Sequence, residues 1–520
     1  MELDKDIYRA LEDIVGPEYI SCDPAVIDGY CFQPFSGPGI FQRFFTRAAA
    51  VILPANTKEV QTIVKLCQRF NLKCKAMGTG YGVANVVGSE DTVTLDLRRM
   101  NRIIDIDKKN MTAIIEPYVS FGQVMGEAMK LGLTCNVLGA GCQVSMVASY
   151  TSVVGNNTQS ISQGYSARNL LGVEWVLPTG EIARLGAPGS GAGWFSGDGP
   201  GPSLRGIFRG ATGATGGLGI FTKCAAHLHP WFGPPTLDIR GNSPYYEAEI
   251  PPNFEYHVLE WPTWERCADA LYKIGESGIG FAIHKTGGPG SHGSCVTGNN
   301  NEYYVKRLAG EYKIPEVSWA FVSAGYTAEE HAYQVKVLDR ILQETEGSIS
   351  PIGEDPSWKK RDFINMVKAC FIPRLAFRVT GTFNCDGMMG QESLDNMALA
   401  LKTDRRLRDK YAAKGVILDD GTYNNWGVVY EGGHLSVIEG GYPFSSTDIN
   451  ATLGFAEMAK EGTEMALKLP VGMGWVVMGE AVKAFGPRFG NLQNWMKKIK
   501  KTLDPDVVSD PIGYISADGK

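Results

Sequence analysis

The sequence predicts a mixed chain, α/β or α+β, of two or three domains, and three observations lead there. Its 520 residues exceed one compact domain of the usual ~100–200. Short apolar runs of strand length alternate with stretches whose apolar residues recur every three or four positions. Glycine, with 63 residues, clusters between those runs, where a backbone must pass close to another group. Composition narrows the function further. Fifty basic against 56 acidic residues leave a net charge of −6 with pI near 5.8, which argues against nucleic acid or an anionic membrane as main partner. No apolar run of about 18 residues is present to span a bilayer. The acidic start lacks an apolar h-region, so a cytoplasmic location is expected. Eleven cysteines without a C-x-x-C pair read as buried thiols of a reducing compartment, and no metal site is expected.

Taken in order, Ile7, Leu11 and Ile14 predict a helix over 5–16 that Gly16-Pro17 stops. Residues 22–45, rich in Pro, Gly and aromatics, read as a loop. A strand over 48–53 precedes Asn56-x-x-Glu59, a capping box, with Val60, Ile63, Val64 and Cys67 on one helical face. A strand over 73–77 runs into the glycine loop 78–82. Strands are expected at 92–97, 103–106 and 112–116, and a helix at 121–131. Glycines concentrate from 139 to 235, between strands at 173–177 and 220–224. After Pro234-Pro235 longer amphipathic helices set in, for example 263–274 and 328–345. Helical periodicity through Leu492, Met496, Ile499 and Leu503 ends at Asp504-Pro505. The expected division is therefore 1–235, 236–479 and 480–520.

Gly78-Thr79-Gly80-Tyr81-Gly82 offers successive backbone N–H groups for an anion and lets a pyrophosphate approach. A tight turn needing positive φ explains it equally well. A nicotinamide-dinucleotide fingerprint would need a helix directly behind the loop, and Val83–Gly88 has no helical pattern. Several stretches resemble the FAD domain of the vanillyl-alcohol oxidase / p-cresol methylhydroxylase superfamily: Leu11–Gly16, Thr94–Asp107, Ala113–Gln123, Val154–Asn156, Gly164-Tyr165, Leu171–Gly180, Gly199–Phe208, Gly216–Thr222 and Leu503–Pro505. They occur in order across residues 1–235 and 480–515. The resemblance implies an α+β fold: a bipartite FAD-binding domain built from both chain ends, and an α+β substrate cap with an antiparallel sheet between them.

It also implies residue roles. Gly78, Thr79, Gly80, Tyr81 and Gly82 would wrap the pyrophosphate, and Glu116-Pro117 would lie along the cofactor. Gly139, Gly141, Cys142, Ser145, Gly155 and Asn156 would pass the ribityl chain and flavin, and Gly216, Gly219 and Ile220 would close the adenine side. Loop 210–219 is longer than the family's. The family's histidine tether is absent from the pyrophosphate loop, so non-covalent FAD is expected; Tyr423, in Gly421–Trp426, is the candidate for a covalent link. The implied reaction is hydride transfer from an alcohol or 2-hydroxy acid carbon to flavin N5. His434, behind two glycines, is the leading base because a histidine titrates near working pH, with Glu431 and Glu439 beside it as alternatives. Arg378, with Arg374, has the geometry to fork a substrate carboxylate. Gly432-Gly-His434 lacks the ligands of the family's metal site. His227-Leu-His229 reads as structural, and Lys497, Lys498, Lys500 and Lys501 as a solvated helix face. Two other readings stand beside this one: an alkylphenol-oxidising flavoprotein subunit with a cytochrome or other electron-transfer partner, and a flavin-bearing electron-transfer subunit of a larger complex. Each implies a homo-oligomer or hetero-complex.

Overall fold

The computed structural model describes residues 3–516 apart from 33–44, 81–84, 137–140, 154, 187–201, 211, 243–245, 287–298, 300, 303–304, 307–308, 311–313, 369–382, 386–389, 419–424, 446, 471–478 and 480–481. The helix Thr57–Arg69 starts where its capping box predicts. Asn56 Oδ1 accepts from the amides of Lys58 and Glu59, and Glu59 accepts from Ala55 N. Its buried Val60, Ile63, Val64 and Cys67 form the apolar stripe read from the sequence. The helix carries the crossover that parallel strands require, linking Ala50–Ile52 to Lys73–Met77. Both strands pair in parallel with Thr92–Asp96, and Ile20–Ser21 completes a four-stranded sheet.

A second sheet is antiparallel throughout, in the order Ile103–Asp107, Thr112–Ile115, Ile220–His227, Leu170–Val176, Ile182–Leu185. Val176 and Ile220 from this sheet share one apolar core with Val60, Ile63, Val93 and Leu95. The two sheets therefore sandwich the helix.

The middle of the chain builds two further antiparallel sheets. One runs Ala282–Lys285, Ser318–Ala324, Phe254–Glu260, Ser348–Ile349. The other centres on Leu435–Pro443, which pairs with Asn425–Tyr430, Phe383–Cys385 and Gly390–Glu392. Helices Trp264–Glu276, Ala328–Glu344 and Leu394–Ala413 bury their apolar stripes against these strands in a shared core.

After the helix Leu492–Leu503 the chain returns to the first sheet. Cys74 N donates to Val508 O at 2.7 Å, Asp510 N donates to Cys74 O at 3.0 Å, and Ser509 bridges Cys74 in parallel. Two expectations need correcting. Pro24–Cys31 is a helix inside the expected loop, because Asp23 caps Ala25 N and Pro24 occupies the first turn, where its missing N–H costs nothing. Lys500 is not on a solvated face. It is fully buried, because the turn after the helix folds Asp504 and Ser509 over its ammonium group.

Candidate active site

Strand Lys73–Met77 ends at Gly78, and three backbone segments meet there. Thr79 Oγ1 accepts from Ser145 N at 3.0 Å, while Ser145 Oγ donates to Pro117 O at 2.6 Å and caps Ala148 N. Gly122 N donates to Cys142 O, and Met146 N to Val119 O. A Cβ on Gly78 would lie 3.2 Å from Ser145 Cβ. Gly80 (φ 77°) and Gly141 (φ 130°) hold a backbone conformation that side chains disfavour. The junction thus presents main chain rather than side chains. Tyr81, Gly82 and Gly139 lie outside the described residues. The Glu116 carboxylate, 1% exposed, is taken up by Arg102 at 2.7 Å, so its part is to fix the Pro117 corner.

The second component is the segment 155–169. Ser166 donates from both N and Oγ to Gly155 O, and a buried chain of hydroxyls and amides joins Ser166 to Ser149, Asn136 and Tyr150. This same segment is stitched to the middle of the chain. Thr158 Oγ1 donates to Met366 O, Gln159 Nε2 to Val367 O at 3.2 Å, Ser162 Oγ to Phe281 O at 2.9 Å, and Ile283 N to Thr158 O. Tyr430 donates its hydroxyl to Asn156 Oδ1, and its ring lies 5.6 Å from that of Tyr165. Burial raises the Tyr430 pKa well above the ordinary value, so this phenol stays a donor. Two buried acceptors here, Asn157 Oδ1 and Gln163 Oε1, have no hydrogen-bond partner among the described residues.

The third component is the loop before Ile220. Gly219 (φ 99°) passes so close to Val176 that a Cβ would sit 2.4 Å from its carbonyl oxygen, and Trp175 Nε1 donates to Leu218 O at 2.7 Å. Ile220 is turned into the core, which leaves only its backbone near the loop surface.

The catalytic candidates are less gathered. His434 is exposed, at the turn where Asn425–Tyr430 folds back into Leu435–Pro443. Glu431 is paired with Arg168 at 2.9 Å, Glu439 stands partly buried opposite Trp426, and Arg378 and Tyr423 lie outside the described residues. Gly432 (φ 67°) and Gly433 (φ 91°) are left-handed and pack on Gly275, where a Cβ on Gly275 would be 2.2 Å from Gly432 O. Backbone conformation and packing thus account for the glycine pair. His229 Nε2 lies 2.7 Å from Asn169 Oδ1, and burial followed by the adjacent His227 ring holds its pKa at about 3. Sequence reasoning met Tyr165 only as part of the Gly164-Tyr165 stretch and missed Tyr430, whose partner Asn156 lies 274 residues away, and the Asn136–Ser166 network.

Residues 48–186 match the family model described as an FAD binding domain. This segment is an FAD-binding domain. The chemistry of the site fits that cofactor: two buried acceptors in segment 155–169, Asn157 Oδ1 and Gln163 Oε1, are unpaired among the described residues and suit donors such as a flavin N–H. Among curated relatives, the chain is 24% identical over 318 residues to a probable mitochondrial D-lactate dehydrogenase of Danio rerio, covering 60% of this chain and 55% of that protein. It is 31% identical over 194 residues to the 4-cresol dehydrogenase (hydroxylating) flavoprotein subunit of Pseudomonas putida, 35% of each. It is 25% identical to glycolate oxidase subunit GlcD of Bacillus subtilis (strain 168) over 44% of this chain and 45% of that one. The matches thus span about half the length of these relatives or less. In fold the chain is similar over nearly its whole length to p-cresol methylhydroxylase with substrate bound (TM-score 0.72, 15% identity, 99% and 98% of the two chains). It is equally similar to 4-ethylphenol oxidase from Gulosibacter chungangensis (0.72, 16%, 100% and 99%).

Proposed function

We propose that this chain is an FAD-dependent oxidoreductase that oxidises a small hydroxylated substrate, an alcohol or 2-hydroxy acid. The flavin, when bound, supplies the hydride acceptor. Residues 1–235 and 480–520 form the flavin-holding unit in this reading, and 236–479 form the substrate cap. The observation that carries it is the segment 155–169, which belongs to the FAD-binding unit yet is hydrogen-bonded to cap residues Met366, Val367, Phe281 and Tyr430. A substrate held by the cap is thereby positioned against the cofactor without a mobile interface, which is the orientation effect that speeds transfer between two bound groups.

His434 is the proposed proton acceptor. Its exposure lets it return a proton to solvent between turnovers. His434→Ala is expected to slow substrate-driven flavin reduction by at least 100-fold; a change under threefold removes His434 from the mechanism. Glu431, already paired with Arg168, is expected to orient the turn instead. The site residues named for FAD, Gly78 through Gly82, Pro117, Gly141, Cys142, Ser145, Gly155 and Asn156, are part of the same proposal.

The reading as an alkylphenol-oxidising subunit keeps a place because the 31% identity to the 4-cresol dehydrogenase flavoprotein subunit is the highest among the relatives cited above. One experiment separates the two: the purified protein is mixed anaerobically with a panel of alcohols, 2-hydroxy acids and alkylphenols, and loss of the flavin absorbance is followed. Bleaching by a hydroxy compound supports the first reading. Bleaching by alkylphenols alone replaces it, and no bleaching by any of them points to an electron-transfer subunit.

A further inference from the structure

Two lysines are fully buried beneath the glycine loop that precedes Ile220, and neither enters the reaction proposed above. Lys75, on strand Lys73–Met77, donates to Thr215 O at 2.9 Å; Lys500, from the C-terminal helix, donates to Gly217 O at 2.7 Å. A buried ammonium group is costly, and a methionine would fill the same space without that cost. For Lys500 the buried Asp504 carboxylate balances the charge; Lys75 is in no salt bridge among the described residues, so its charge must serve another end. In a planar trans peptide the C=O and the following N–H point in opposite directions. Pulling the Thr215 carbonyl down onto Lys75 therefore turns the Gly216 amide up and away.

The underside of the loop is otherwise filled. Thr215 Oγ1 donates to Gly513 O, and a Cβ on Gly217 would fall 2.3 Å from Tyr514 Cβ. Thr215 (φ 43°) and Gly216 (φ 74°) are both left-handed, which holds the loop in this orientation. Among the described residues neither the Gly216 nor the Leu218 amide donates a hydrogen bond, whereas Gly217 N is spent on Ala214 O. Gly216 is partly exposed whereas Leu218 is fully buried, so the Gly216 amide is the one left outward over the buried charge as a donor to an acceptor atom.

We propose that Lys75 is a positioning residue for FAD: by holding the Thr215 carbonyl inward it aims the Gly216 amide at an acceptor atom of the cofactor. This rests on the FAD-binding reading of the chain and links Lys75, inside the matched residues 48–186, to a loop beyond them. Burial also lowers the Lys75 pKa to about 8, in keeping with an ammonium group that has given up its water.

The test uses apo-protein prepared under flavin limitation and titrated with FAD by fluorescence, with the melting temperature of each apo-protein measured in parallel. Lys75→Met is expected to weaken FAD binding at least tenfold while the apo-protein melts at the same temperature or higher, because an apolar side chain is easier to bury. Lys75→Gln, which keeps a donor on a shorter arm, is expected to recover part of the affinity, and it decides the matter should the methionine variant fail to fold. Affinity of Lys75→Met within twofold of the parent, or, should that variant fail to fold, a Lys75→Gln affinity equal to the parent's, overturns the proposal and leaves Lys75 as packing. A parent apo-protein that takes up no FAD overturns the FAD reading itself, and the role of Lys75 with it.

Discussion

His229 and Glu174 show how single residues here trade solvation for position. His229 reaches Asn169, whose amide group donates to Gln163 O and Tyr165 O. Because Asn169 spends its N–H groups on carbonyls, its oxygen must accept, and His229 must carry its proton on Nε2. Its pKa, held at about 3, is below that of the unfolded chain. Its contribution is therefore complete above about pH 6.5 and falls as pH drops from there toward 3, by at most about 1.4 kcal/mol per pH unit. His229→Gln is expected to flatten the dependence of urea stability on pH between 6.5 and 4. Glu174 accepts from Thr57, Arg184 and Lys223, and these partners outweigh burial to hold its pKa at about 2. Its stabilisation is present above about pH 4.5 and is lost below that, so acid unfolding of Glu174→Gln should begin from a lower plateau with a shallower slope. For Tyr430→Phe, the loss of the donor to Asn156 leaves a buried acceptor unpaired and is expected to cost about 1–3 kcal/mol in urea unfolding.

At the scale of elements, what matters is how the ends are finished. Ser120 and Gln123 complete a reciprocal capping box on helix Phe121–Met129, and Thr263, Thr327 and Ser393 cap three helices in the middle of the chain in the same way as Asn56. Removing one cap, as in Asn56→Ala, is expected to lower stability by about 1 kcal/mol. Gly219→Ala tests a harsher constraint. Its positive φ and the 2.4 Å approach to Val176 O leave no relaxed place for a methyl group. We expect a loss of several kcal/mol, measured as a fall in melting temperature. The Asn56 box and the apolar stripe behind it were legible in the sequence, since they act within a few residues; the approach of Gly219 to Val176 was not, because it joins distant segments. The helix Pro24–Cys31 was misread because its proline, a breaker elsewhere, opens it.

For the molecule as a whole, the decisive feature is closure of the chain ends. Asp510 accepts from Gly88 N, Thr92 Oγ1 and Ile512 N, so one carboxylate ties the C-terminal segment to the first sheet. Asp510→Ala orphans three donors and is expected to cost about 2–4 kcal/mol, with FAD uptake falling alongside stability because loop 215–217 rests on the same segment. Among the described residues no helix is long and apolar enough to cross a membrane, and the cysteines at 22, 31, 67, 74, 135, 142, 224 and 267 are free thiols.

By itself the sequence determined the mixed class, the glycine-loop backbone that FAD requires, and the helices whose apolar stripes repeat locally, because periodicity and turn chemistry are written in neighbouring residues. Only the tertiary structure decided that Lys500 turns inward, that Glu116 belongs to Arg102, and that Tyr430 meets Asn156 across the seam. Those facts depend on which distant segments share a buried volume, and there the cost of leaving a polar group unpaired, not its neighbours in the chain, selects the partner.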